Sequence, residues 1–138
     1  VYEQSIFCTG QKNKRGNAIE IEMKLENNNL AVIHVSGKLG KDEHQQILLE
    51  IEYLKQKIGQ IKILVMLKDF EGWEAARGWA DTSVSDRIAP YISKVAIVGD
   101  EKWRDLVTLL TLKGLRPMPI GYFGGDRESD AREWLDSK

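Results

Sequence analysis

IKILVML, residues 61–67, is the stretch on which the fold turns. Six of its seven residues are apolar, and so short a near-continuous run marks a strand covered on both faces. That is the habit of a parallel strand with helices packed above and below. The pattern upstream differs. AIEIEMKL (18–25) alternates apolar and charged residues like a half-exposed strand, and LAVIHVS (30–36) reads as a more buried one. NNN (27–29) between them is a turn, so the two strands form a hairpin.

Between hairpin and apolar run lies a helix. Asp42 with Gln45 resembles a capping box, Ile47, Leu48, Ile51, Leu54 and Ile58 share one face, and Gly59 stops the helix. After the run, periodicity predicts a helix from about Glu74 to Ala89, with Trp73, Ala76, Ala80, Val84 and Ile88 in one stripe. Tyr91 to Val98 is a fourth strand, and Asp100 is the N-cap of a helix carrying Trp103, Leu106, Val107, Leu110 and Leu112. PIGYF (119–123), flanked by prolines, suits an edge strand. Asp126 or Ser129 then caps a last helix holding Ala131, Trp134 and Leu135.

The expected architecture is α/β, a mostly parallel five-stranded sheet with an antiparallel N-terminal hairpin strand and about four helices. Parallel strands end at one rim, so SGKLGKD (36–42), KDFEGW (68–73), VGDEKW (98–103) and FGGDRE (123–128) are expected to meet there as loops.

At 138 residues the chain is expected to be one domain, residues 18–138, preceded by a loosely ordered extension, residues 1–17. A net charge of −1 with both signs mixed implies no polyanion surface, so no nucleic-acid partner is expected. The single cysteine, Cys8, excludes an internal disulfide framework. No apolar run approaches the roughly 18 residues of a transmembrane segment, and the expectation is a cytoplasmic protein.

Chemical signals are sparse. Neither GxGxxG nor GxxxxGK[ST] occurs, and GGD (124–126) reads as a turn before it reads as an anion cradle. His34, His44 and Cys8 have no ligand spacing, so neither a metal nor a cofactor is expected. Ser36 at the rim has no histidine placed beside it, and Asp69, Glu71, Asp100 and Asp126 read as caps and turns rather than paired acids and bases. No catalytic residues are assigned, and the chain is not expected to be an enzyme. The tryptophans carry more information. Trp79 falls off the stripe of Trp73 and either leans over a neighbouring helix or lines a cavity, a dimer contact or a membrane-facing patch, and Arg77 near the stripe either snorkels outward or supplies a cation to a pocket. Trp73 and Trp103 begin successive helices and either pack into the core or wall a shared pocket.

VSGKL (35–39), ILVMLKDFEGW (63–73), KVAIVGDEKW (94–103) and YFGGDRESDAREWL (122–135), in that order, resemble the SpoIIAA-like family of STAS/SEC14-type domains. The resemblance spans about residues 18–136 and implies a STAS-like α/β fold in small bacterial proteins. Anti-sigma-factor antagonists of this type use a phosphorylatable serine at the start of the helix after the third strand. The matching place here is Asp69-Phe70-Glu71-Gly72-Trp73, and Thr82 and Ser83 lie well beyond it, so that switch does not carry over. The lipid-exchanging relatives bind apolar ligands in a cleft.

The expectation is therefore a non-catalytic binding module for a small apolar or lipid-like ligand, with Asp69, Phe70, Gly72, Trp73, Gly99, Asp100 and Trp103 at the rim. The alternative is a regulatory module that binds a protein partner or a second copy of itself through Trp79 and Arg77.

Overall fold

The computed structural model describes residues 4–9, 19–26, 29–39, 41–73, 88–105 and 119–137. The strands are β1 (Gln4–Thr9), β2 (Ile19–Glu26), β3 (Leu30–Leu39), β4 (Ile61–Trp73), β5 (Ile92–Gly99) and β6 (Ile120–Gly124). Helix α1 (Lys41–Ile58) joins β3 to β4, and α2 (Glu128–Asp136) follows β6. Short 3-10 turns occupy Ala89–Tyr91 and Glu101–Trp103.

The six strands lie side by side in chain order. β1–β2 and β2–β3 pair antiparallel, and β3–β4, β4–β5 and β5–β6 pair parallel. The parallel core and the hairpin match the sequence reading, but the strand count is six rather than five. Residues 4–9 are not a loose extension: they add an antiparallel edge strand to β2. Their weak periodicity hid this. An edge strand gains ladder hydrogen bonds whatever its pattern, and Ile6, Phe7 and Thr9 favour extended backbone. Among the described residues there are two α-helices rather than about four. The other two expected helices fall largely on residues 74–87 and 106–118, outside the described set.

Strand alternation sorts the core into two clusters, one on each face of the sheet. Ile21, Met23, Ala31, Ile33, Val35, Ile61 and Ile63 pack with Ile47, Ile51 and Leu54 of α1. Leu30, Val32, Leu64, Ala96 and Val98 pack with Ala131 and Leu135 of α2 on the other. This explains the unbroken apolar run: Ile61 and Ile63 serve one face while Leu64 serves the other. Complete burial of Leu64 contributes about 2–3 kcal/mol. In β2, by contrast, Ile21 and Met23 are buried whereas Glu22 and Lys24 stay half-exposed and pair at 3.4 Å.

Gly59 ends α1 at φ 73°, the left-handed conformation that glycine adopts without Cβ strain. α2 departs from expectation at its start. Neither Asp126 nor Ser129 caps it; Arg127 occupies the N-cap position and makes no side-chain capping bond. Glu128 and Asp130 in the first turn offset the helix dipole instead. Its other end is held from the sheet. The Lys94 ammonium of β5 donates to Trp134 O at 2.8 Å, Ser137 O at 2.7 Å and Ser137 Oγ at 2.8 Å. Arg132 ties the middle of α2 to Glu26 of β2 at 3.0 Å and to Glu128 at 2.8 Å.

Candidate functional site at the strand-end rim

The rim is built by an irregularity in β4. Val35 pairs with Leu67, but the next pair is Gly37 with Phe70, so Lys68 and Asp69 together stand against Ser36. Asp69 takes φ 55°, which aspartate tolerates better than most residues. The extra residue reverses the alternation. In a regular strand Phe70 would point with Leu64 and Met66 toward α2. It lies instead in the α1-side cluster with Ile61 and Ile63, 6% exposed. A second slip follows at once, because Lys38 pairs with Gly72 and Glu71 has no opposite number. KDFEGW and the start of SGKLGKD were expected as rim loops. They are strand, with β4 running to Trp73 and β3 to Leu39, and the bulges give them their loop-like composition.

Trp103 arrives from the neighbouring strand. β5 ends at Gly99, and Asp100 caps the turn that follows: its Oδ1 accepts from Lys102 N at 2.9 Å, and Trp103 N donates to Asp100 O at 3.0 Å. This single turn swings the indole back over the end of β4. Its ring meets Phe70 edge-on, with centroids 5.2 Å apart and planes at 71°. A Cβ on Gly72 would lie 3.0 Å from Trp103 Cη2, and Gly72 itself takes φ 96°, so both space and backbone require glycine there. The Lys102 ammonium lies 5.4 Å from the indole centroid.

β6 supplies the third side. The Tyr122 hydroxyl donates to Asp100 O at 2.7 Å, and a Cβ on Gly99 would lie 2.8 Å from that hydroxyl oxygen. Arg104 is forked onto Glu101 at 2.6 and 2.8 Å, donates to Tyr122 O at 3.2 Å, and stacks 5.2 Å from the Tyr122 ring. The bonded guanidinium lowers the Glu101 carboxyl below its usual range, and Glu101 in turn raises Arg104. Burial, then the nearby charges of Glu101 and Asp100, push the Tyr122 phenol up to about 12. It is a neutral hydrogen-bond donor at physiological pH. GGD is a turn: Arg127 N donates to Gly124 O at 2.9 Å. Glu101 Oε1 and Asp126 Oδ1 stand close to Gly124, which opposes an anion there.

Of the sequence-predicted residues, Phe70, Gly72, Gly99, Asp100 and Trp103 converge. Asp69 is the exposed residue of the bulge, with a left-handed backbone. Trp73 ends β4 opposite Leu39, but the expectation for its indole lies outside what the structure describes, as do Arg77 and Trp79 altogether. His34 is exposed on β3, and among the described residues no three His, Cys, Asp or Glu side chains form a metal-binding group. Tyr122, Arg104, Glu101 and Lys102 were missed. The Glu101–Arg104 spacing of three was a visible signal; the reach of Tyr122 across to Asp100 depends on β5–β6 register and had none.

A family model described as SpoIIAA-like matches residues 30–136, from β3 through α2 and across the whole rim. The chain belongs to the SpoIIAA-like family. Among solved structures, this SpoIIAA-like chain is similar to the 2.25 Å crystal structure of an uncharacterized protein of the DUF3478 family, with a SpoIIAA-like fold, from Shewanella loihica PV-4. The TM-score is 0.63 at 20% identity, covering 85% of this chain and 93% of that one, and the likeness establishes the fold alone. No curated protein matches the chain. Among the described residues no helix is long and apolar enough to cross a membrane.

Proposed function

We propose that this SpoIIAA-like domain is a non-catalytic binding module that takes a small, partly apolar ligand of lipid-like chemistry at the strand-end rim. The observation that carries the reading is the edge contact of Phe70 and Trp103 over Gly72, where the ends of β4 and β5 meet. Phe70 is buried and anchors the pair, whereas Trp103 is only half-buried and presents apolar surface. Lys102 beside the indole adds a cation, so a carboxylate-headed chain would find an apolar plate and a counter-charge together. Asp100 and Tyr122 hold the turn and are positioning residues.

Tryptophan emission titrated with dodecanoate tests this. The wild-type signal should change saturably, and Trp103→Ala should lose the change while the far-ultraviolet circular dichroism stays intact. A wild-type protein that does not respond, or a Trp103→Ala variant that binds equally well, removes the proposal. The alternative, a regulatory module acting through Trp79 and Arg77, rests on residues outside the described set.

A further inference from the structure

Arg104 is anchored from β6. Its Nη1 donates to Tyr122 O at 3.2 Å, and its guanidinium lies 5.2 Å from the centre of the Tyr122 ring. Nε and Nη2, the two-pronged outer edge, both donate to the Glu101 carboxylate, at 2.6 and 2.8 Å. The Glu101 side chain is 62% exposed and three residues away on a single 3-10 turn. An exposed pair at that spacing contributes little to stability. The contacts to β6 therefore fix the guanidinium whether or not Glu101 holds its outer edge.

The aromatic pair lies on the same face of the sheet. Phe123 packs in the α2-side cluster, so alternation puts Tyr122 on the α1 side. The Tyr122 hydroxyl and Leu67, which packs against the α1-side cluster, close on one point above Gly99. Phe70 belongs to that cluster, and Trp103 packs against it. Consecutive residues, Trp103 and Arg104, thus bring an apolar plate and a forked donor to one face. Lys102 offers charge without direction, whereas a guanidinium grips both oxygens of a carboxylate at once. We infer that Arg104 is the headgroup receptor of the rim and that Glu101 is its internal competitor, holding the place into which the carboxylate of a fatty acid fits. The inference rests on the binding reading above and deepens it by assigning the residue that selects the head. An entering carboxylate accepts the two hydrogen bonds that Glu101 gives up, and Glu101 turns out to water.

Calorimetric titration with decanoate and with 1-decanol, its neutral counterpart, in about 0.15 M salt tests this. Wild type should bind decanoate more tightly than decanol. Glu101→Gln should tighten decanoate about two- to fivefold, the range that an exposed pair supplies, and leave decanol unchanged. Asp126→Asn removes a carboxylate that also stands close to Gly124 but is not bonded to Arg104. It controls for charge alone and should leave decanoate within about 1.5-fold. Arg104→Met keeps an apolar stem over Tyr122, should abolish the preference for decanoate, and should make Glu101→Gln silent. If decanol binds but Arg104→Met still prefers decanoate, or if both acidic variants tighten decanoate alike, the apolar site stands and the role of Arg104 falls. If wild type binds neither probe, the site itself falls and the inference with it.

Discussion

Truncating Phe70 to alanine should cost this protein its rim. The bulge at Lys68 and Asp69 places the Phe70 ring on the α1 side of the sheet, in the cluster of Ile61 and Ile63 and against the Trp103 indole. Phe70 is 6% exposed, so Phe70→Ala removes about 3–5 kcal/mol of burial and packing. Loss of the edge contact with Trp103 adds about 1 kcal/mol. Against a total stability of about 5–15 kcal/mol, a loss of ~4 kcal/mol is large. At roughly 3–4 °C per kcal/mol for a domain of this size, the melting temperature should fall by ~12–16 °C. Asp69→Gly is the control. It relieves a left-handed aspartate, worth about 1 kcal/mol, and offsets this with the unfolded-state entropy of glycine, so the melting temperature should move by less than ~4 °C. Thermal unfolding followed by circular dichroism, with tryptophan emission in parallel, measures both variants. A Phe70→Ala variant that melts within ~4 °C of wild type, with unchanged emission, would refute the role given to Phe70.

Gly72→Ala should destabilise by about 2 kcal/mol and shift Trp103 emission, because the methyl needs both a left-handed backbone and the space of the indole; chemical denaturation and emission spectra report the two effects. Lys94→Met keeps an apolar stem but strips the end of α2 of its charged donor, and the urea midpoint should fall by an amount equivalent to about 2 kcal/mol with rim binding unchanged. Tyr122 contributes an alkaline limit. Its folded phenol titrates at about 12, above the unfolded value near 10, so its contribution to stability is whole below pH ~10 and lost as pH climbs toward 12. Melting curves across that window should fall more steeply for wild type than for Tyr122→Phe, and parallel curves would contradict the assignment.

Sequence legibility followed the period of the apolar pattern. β2 through β5 and α1 were readable because burial imposes a strict period of 2 or 3.6, and each of those elements packs in the cluster that its pattern implied. β1 was not, since an edge strand answers to backbone pairing more than to burial. KDFEGW misled for a sharper reason. Lys68, Asp69 and Gly72 carry the composition of a loop, yet two register slips let them continue the strand while turning Phe70 inward. The rim aromatics were legible as a pair at two successive strand ends. The Glu101–Arg104–Tyr122 side was not, because it joins residues 18 apart through β5–β6 register.

The central claim is that Phe70 and Trp103 form one surface to which an apolar ligand binds, and the indole N–H resonances test it most directly. The chain has four tryptophans, and Trp134 sits on the opposite face against Phe123, giving an internal reference. Titration with dodecanoate should shift the Trp103 indole and the Phe70 ring resonances along one saturable curve while Trp134 stays in place. Binding that leaves Trp103 unmoved, or a spectrum unaltered at every concentration, would contradict the account.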